Sequence, residues 1–292
     1  MKVSILGYGA VGKSLVRILS TNNYDISVFS SDEYIKNLRK LNVNSYSIES
    51  GAVNSPKQDL IFLSTKIYKV KNYLKILENL VGEGTLILPL QNGFYSFDLL
   101  KKSFYQNTAA ASLSIVTSNT KSGFVNFTKK PKLSVSKPIN KVSELMLENF
   151  ILHSKNDITF EIFKNDEILL WRKFARIIAL STTCIYYKSS LGQVLQDERK
   201  YNFLIRSLEE MKSLAKFYKV DISLKQELEM INTISPNLRT SLYHSLENGH
   251  PGEYKYLIHE AIQRAKINSI PLNSLEKANV EILRRYPCLE SE

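Results

Sequence analysis

Along the first half of the chain, short apolar runs alternate with segments whose apolar positions repeat at helical spacing. Lys2–Leu6, Asp25–Phe29, Leu60–Ser64 and Thr85–Leu90 are compact runs of β-type residues. Between them, Ala10–Leu19, Asp32–Leu41 and Lys69–Leu80 carry the three- and four-residue spacing of amphipathic helices. This alternation predicts parallel βαβ units and a doubly wound sheet. From Ala109 the texture changes: Ala111–Val116, Phe124–Phe127 and Leu133–Val135 predict antiparallel strands, followed by a helix over Val142–Leu152 and a strand over Ile158–Ile162. The second half carries no strand pattern. Asn165 caps a long helix over Ile168 to about Tyr187, and Asp166 and Glu167 place acids at its positive end. Helical spacing returns at Tyr201–Phe217, Leu224–Ile234, Thr240–Leu246, Glu253–Lys266 and Ser274–Arg285, with Pro236, Pro251 and Pro271 between segments. The pattern predicts an α/β chain of two domains, a doubly wound parallel sheet over 1–164 and an all-helical domain over 165–292.

Charge and cysteine usage narrow the classes. The net charge is +11, and it is unevenly spread: +9 over residues 1–164 and +2 over 165–292. A basic half suits a small anionic ligand, or equally a solvated surface. The lysines are scattered and no recognition helix or aromatic RNA-binding signature accompanies them, so nucleic acid is not expected. Cys184 and Cys288 stand alone, without metal-ligand or disulfide spacing, and His153, His244, His250 and His259 form no metal-ligand spacing either. The longest apolar run, Ile168–Tyr187, contains Arg172, Lys173 and Arg176, which argues against a membrane span. The chain opens directly on a strand, so a cytoplasmic protein is expected.

The sharpest chemical signal is Gly7-Tyr8-Gly9-Ala10-Val11-Gly12, at the exit of the first strand and the entrance of the first helix. Gly7 permits a tight turn, Gly9 lets backbone approach a pyrophosphate, and Gly12 allows close helix–strand packing. The helix N-terminus offers unpaired N–H groups and a positive dipole to phosphates. This is the fingerprint of a Rossmann dinucleotide-binding domain. The second strand ends Val28-Phe29-Ser30-Ser31-Asp32, with no early acid to hold a ribose 2′-hydroxyl. Ser30 and Ser31 offer hydrogen bonds to a 2′-phosphate, so NADP(H) is favoured over NAD(H). Asp32 reads equally as a cap of the next helix.

The chain resembles the ketopantoate (2-dehydropantoate) reductases over nearly its whole length. The resemblance rests on the Gly7–Gly12 motif, Thr65-Lys66 and Leu90-Gln91-Asn92-Gly93. It continues through Trp171-Arg172-Lys173, Ser241, Gly252-Glu253-Tyr254 and Ile270-Pro271-Leu272-Asn273. It implies NADPH-dependent reduction of the 2-keto group of ketopantoate to pantoate, on the way to pantothenate and coenzyme A. It also implies a cleft site between a Rossmann domain and a helical domain, in a protein that is a monomer or a homodimer.

The candidate site residues also make sense as chemistry. Hydride arriving at a keto carbon builds negative charge on its oxygen, which a positioned proton donor must meet. Lys173 has apolar helical neighbours in Leu169, Leu170, Ile177 and Leu180, while Arg172 and Arg176 share another face with Thr183. An apolar setting loosens a lysine's hold on its proton, although an isolated helical lysine can also simply snorkel. Glu253 reads as a first-turn acid of a helix; the resemblance assigns it to the substrate hydroxyl. By the same resemblance Ser241 binds the substrate carboxylate, Asn92 sits between nicotinamide and substrate, and Lys66 approaches the cofactor phosphates. Two departures stand out. Asparagines expected four and eight residues after the lysine are Ile177 and Ser181, of which only Ser181 can bind a polar group. An arginine common after the second strand is Ser31. A reductase of another small anionic 2-oxo acid or ketone, and an NADP(H)-sensing module without turnover, therefore stay open beside ketopantoate reduction.

Overall fold

The computed structural model describes residues 1–31, 43–48, 55–115, 117–119, 125–127 and 129–289, in two compact units, Met1–Leu169 and Leu170–Glu292. The predicted helix Asp32–Leu41, and Asp32 itself, lie outside the described residues. The first unit begins with β1 (Lys2–Leu6), α1 (Ala10–Leu19), β2 (Asp25–Ser30), β3 (Asn44–Ser47) and β4 (Leu60–Leu63). It continues with a 3-10 segment (Ile67–Tyr73), α2 (Leu74–Leu80), β5 (Leu86–Pro89) and α3 (Tyr95–Ser103). The five strands are all parallel, in the order β3-β2-β1-β4-β5.

Strand alternation divides the core between the two faces of the sheet. Val3, Ile5, Leu60, Phe62, Leu86 and Leu88 face one cluster with Leu15 and Leu19 of α1. Leu6, Ile61, Leu63 and Ile87, one residue out of step, face the other with Val70, Leu77 and Leu80. Helices cover both faces, which is why these strands are continuous apolar runs.

The predicted helix Lys69–Leu80 is two pieces, 3-10 then α, and among the described residues, 3-10 turns aside, four elements lie outside the predicted runs. One is β3, whose Asn-Ser-Tyr-Ser sequence has no apolar alternation and is held by its pairing with β2. The others are α3, the strand Thr117–Asn119 and a short helix in the second unit.

The rest of the first unit comprises β6 (Ala111–Ser114), β7 (Thr117–Asn119), β8 (Val125–Phe127), β9 (Lys132–Ser136), α4 (Lys141–Ser154) and β10 (Thr159–Phe163). Antiparallel pairing, expected for this region, joins β6 to β9 and β7, which was not expected, to β8, while β10 adds parallel to β9. Asp166 locks this region. Its Oδ1 accepts the Ala110 N–H at 2.8 Å and the Ser136 hydroxyl, and its Oδ2 pairs with Lys101 at 3.2 Å. An acid expected to serve the helix dipole is thus a three-way clamp.

The second unit is built on α5 (Asp166–Tyr186), α6 (Leu191–Gln196), α7 (Glu198–Phe217), α8 (Leu224–Asn232) and α9 (Ser241–Glu247). A 3-10 turn (Tyr254–Tyr256), α10 (Ile258–Ile267) and α11 (Asn273–Arg285) complete it, with no strand among its described residues. Long-range caps tie the bundle together. Glu210 of α7 accepts the Ser274 and Leu275 N–H groups at the start of α11. Arg285, at its end, donates to the last carbonyls of α5, Ile185 and Tyr186. Each side chain satisfies backbone groups that a helix terminus leaves without partners. Among the described residues no helix is long and apolar enough to cross a membrane.

Trp171 is buried in α5, its ring 4.8 Å from that of Tyr218 and 6.0 Å from that of Phe174. Trp171→Ala should destabilise the protein by about 3–5 kcal/mol, as deletion of a buried large side chain does. A urea melt followed by circular dichroism checks this; a loss under about 1 kcal/mol would show that the indole does not anchor the helix.

Candidate active site

The candidate residues fall into two groups, one on each unit. In the first, the sheet order reverses between β1 and β4, and open α/β sheets bind ligands at such a switch point, beyond the carboxyl ends of the strands. The glycine turn lies there. Gly7 has φ +103°, and an added Cβ would stand 2.6 Å from the Thr65 nitrogen. A Cβ on Gly12 would stand 2.0 Å from the Gly7 carbonyl oxygen, which also accepts the Ser64 hydroxyl at 2.8 Å. Protein packing alone therefore explains two of the three glycines. Gly9 is different: a Cβ there meets nothing within 4 Å. Space beside its backbone is what an approaching diphosphate requires. Gly9 caps α1 without a side-chain hydrogen bond, and the first turn holds no acid, so its N–H groups remain available to an anion. Ala10 is exposed and Val11 half-buried on this turn, while Tyr8 is buried, its ring packed into the core and its hydroxyl pKa raised by desolvation.

The neighbouring strand ends bring up the remaining first-unit candidates. The Gly7 N–H bonds to Phe29 O at 2.8 Å, which sets the end of β2, and so buried Ser30 and half-buried Ser31, beside the glycine turn. Lys66 is exposed just after β4. After β5, the Gln91 side chain donates to Leu63 O at 3.0 Å and Thr65 O at 2.8 Å, lashing this loop to the exit of β4. Gly93 turns the chain with φ +79°. Between them sits Asn92, half-buried and with no side-chain hydrogen bond among the described residues. In Gln91-Asn92-Gly93, the outer two residues build the loop and the middle one is presented.

The second group is arranged along α5. Lys173 is half-buried, and desolvation pulls its amine down to about 8. The Glu253 carboxylate acts in the opposite sense, and the Arg176 guanidinium contributes to the lowering. Lys173 and Glu253, 80 positions apart in sequence, therefore share one electrostatic environment. Glu253 lies one residue after Gly252, which takes φ +61° where a Cβ would stand 2.8 Å from that of Ser245. The helix expected to start at Glu253 instead begins at Ile258; Glu253 only precedes a three-residue 3-10 turn, because Leu257 (φ −122°, ψ −95°) interrupts the run. A single turn has little dipole, which weakens the capping explanation for this acid. Ile177, one turn along α5 from Lys173, is half-buried, and Ser181 is buried. Ser241 is exposed at the start of α9. Among the described residues no cluster of His, Cys, Asp or Glu has metal-binding geometry.

One feature of this group has no local signal in the sequence. Glu227 of α8 is fully buried, and its carboxylate takes Arg172 Nε at 2.6 Å and Arg176 Nη1 on the other oxygen. The two arginines are one helical turn apart on α5, on either side of Lys173.

A Rossmann-like unit with a glycine turn at its switch point, followed by a helical unit carrying a desolvated lysine, defines the class of fold and site. The family model "Ketopantoate reductase PanE/ApbA" matches residues 3–138, and that of the family's C-terminal region matches residues 168–278. The chain belongs to the ketopantoate reductase family. A 2-dehydropantoate 2-reductase from Pyrococcus abyssi is 30% identical over 106 residues, and the match spans 34% of this chain and 35% of that relative. Among solved structures, D-mandelate dehydrogenase with NADH and anilino(oxo)acetate superposes with a TM-score of 0.84 at 15% identity, over 99% of this chain and 100% of that one. The PanE/ApbA family ketopantoate reductase from Ralstonia eutropha JMP134 gives 0.82 at 18% identity, over 99% and 100%. A dimeric ketopantoate reductase from Staphylococcus aureus gives 0.75 at 14%, over 98% and 99%.

The glycines separate by experiment. Gly12→Ala should lower the melting temperature sharply, because its Cβ collides with backbone. Gly9→Ala should melt like wild type yet bind NADPH at least about tenfold more weakly, a loss of about 1.4 kcal/mol. Fluorescence titration beside a melting curve reads both. Unchanged affinity in a folded Gly9→Ala would remove the diphosphate from this turn.

Proposed function

We propose that the chain reduces the 2-keto group of 2-dehydropantoate to pantoate with NADPH, as a step toward pantothenate and coenzyme A. The observation that carries the reading is the Lys173 amine, desolvated to about 8 with the Glu253 carboxylate acting on it. A bound nicotinamide supplies the hydride. Lys173 delivers the proton that the developing alkoxide needs, and a donor titrating near working pH is the efficient choice. Glu253 accepts a hydrogen bond from the substrate hydroxyl, Ser241 and Ser181 bind its polar groups, and Asn92 orients it against the nicotinamide. Lys66 and the glycine turn bind the diphosphate, and Ser30 and Ser31 the 2′-phosphate. In this reading residues 1–164 bind the dinucleotide and 165–292 the substrate. The likeness to the dimeric S. aureus enzyme supports a homodimer, and the two free cysteines, Cys184 and Cys288, support a cytoplasmic location.

A second reading has its own observation. Ile177 puts an apolar side chain one turn from Lys173. The mandelate dehydrogenase likeness concerns an enzyme with NADH and an aromatic oxoacetate. Both favour a 2-oxo acid with an apolar side chain, and the second also favours NADH as the reductant.

NADPH and NADH oxidation measured with ketopantoate, 2-oxoisovalerate and phenylglyoxylate decides between the readings. The first predicts the highest kcat/KM with ketopantoate and NADPH. A preference for phenylglyoxylate with NADH establishes the second. On the preferred substrate, Lys173→Ala should cost kcat about 100-fold or more while leaving cofactor affinity nearly unchanged. Activity within a few-fold of wild type would make the lysine structural.

A further inference from the structure

The clamp on Glu227 holds more positive charge than it needs. A buried carboxylate must be compensated, and one guanidinium suffices. Here two converge on it, so Arg176 brings a second positive charge to a carboxylate that Arg172 already meets. Both arginines remain partly exposed, at 21% and 20% of their side-chain surface, while Glu227 shows none. The geometry directs that second charge. Arg176 follows Lys173 by three residues, and side chains at this spacing are neighbours on a helix surface. Left to itself, an arginine side chain would swing into water, where its field is screened. With Nη1 held by a carboxylate that cannot move, the charge is fixed.

We propose that Arg176, pinned by the buried Glu227, is a positioning residue for Lys173: a fixed positive charge beside the lysine that readies it to release its proton. This rests on the reading of Lys173 as proton donor, but its test does not. Among the described residues, Glu253 from the segment before the 3-10 turn and Arg176 from its own helix both act on the lysine by charge. They oppose each other. Glu253 strengthens the ammonium form and Arg176 weakens it, in the same sense as the desolvation, and the balance of all three is about 8. With Arg176 absent, Glu253 would be opposed by desolvation alone among these effects, and the lysine would hold its proton to higher pH.

The proton affinity of Lys173 is readable without turnover. Trace acetylation by acetic anhydride attacks only the unprotonated amine, so its extent at Lys173 across a pH series, read by peptide mass spectrometry, gives the midpoint. Wild type should turn over near 8. Arg176→Gln should move the midpoint up by about one pH unit, the size expected for removal of a neighbouring like charge. Arg176→Lys, which keeps the charge, should restore it. If Arg176→Gln folds poorly, Arg176→Met, which keeps the length and apolar stem of the side chain without its charge and leaves Glu227 paired with Arg172, should show the same rise. A midpoint that stays within about 0.3 unit in the folded charge-removing variants, whatever their melting temperatures, would overturn the proposal. A moved midpoint with full activity in Lys173→Ala would keep the electrostatic device and discard the catalytic reading.

Discussion

A lysine ammonium drawn out of water is the constraint on which the second unit depends. Keeping Lys173 where it loses solvation costs free energy, and a flexible helix would relieve that cost by letting the side chain turn outward. The bundle removes this option. Trp171 stacks against Tyr218 two positions before the lysine. Arg172 and Arg176 tie both flanks of the lysine to Glu227. Arg285 closes the far end of the same helix. Fixing the helix at its beginning, middle and end sets the stretch that carries the amine in place.

The first unit follows a related logic in backbone rather than side chains. Its glycine turn has two glycines that the protein's own packing demands and one that it does not. Gly7 and Gly12 bring β1, α1 and the exit of β4 to contact distances that no Cβ would tolerate. That compression points the uncapped start of α1 at the open space beside Gly9. The Gln91 latch does the same for the next loop, spending one amide on structure while its neighbour Asn92 is left half-buried beside it.

Much of this was legible in the sequence because much of it is local. A strand, a turn and a helix within the first 19 residues disclose the glycine motif by spacing alone. The parallel strands, buried on both faces, appear as unbroken apolar runs. What escaped is what depends on distant pairing. The polar strand β3 exists only because β2 is beside it. Glu227 lies 51 residues from Arg176 and looks like any acid on an amphipathic helix until α8 is packed against α5. Asp166 reads as a helix-dipole acid, and its three partners come from elements 30 to 65 residues upstream. The start of the helix beyond Glu253 was misplaced because a backbone break at Leu257 leaves no mark in the apolar spacing.

The account stands most directly on the proton held by Lys173. A proton donor must be protonated to act, and a group whose value is lowered to about 8 loses its proton as pH rises through that point. In the direction of keto-group reduction, kcat/KM on the preferred 2-oxo acid should therefore be level below pH 8. Above it, the rate should fall about tenfold per pH unit, reporting the free enzyme. An ordinary lysine would delay that fall to about pH 10.4. A profile that stays flat to pH 10 would contradict the claim that this lysine is desolvated and is the donor.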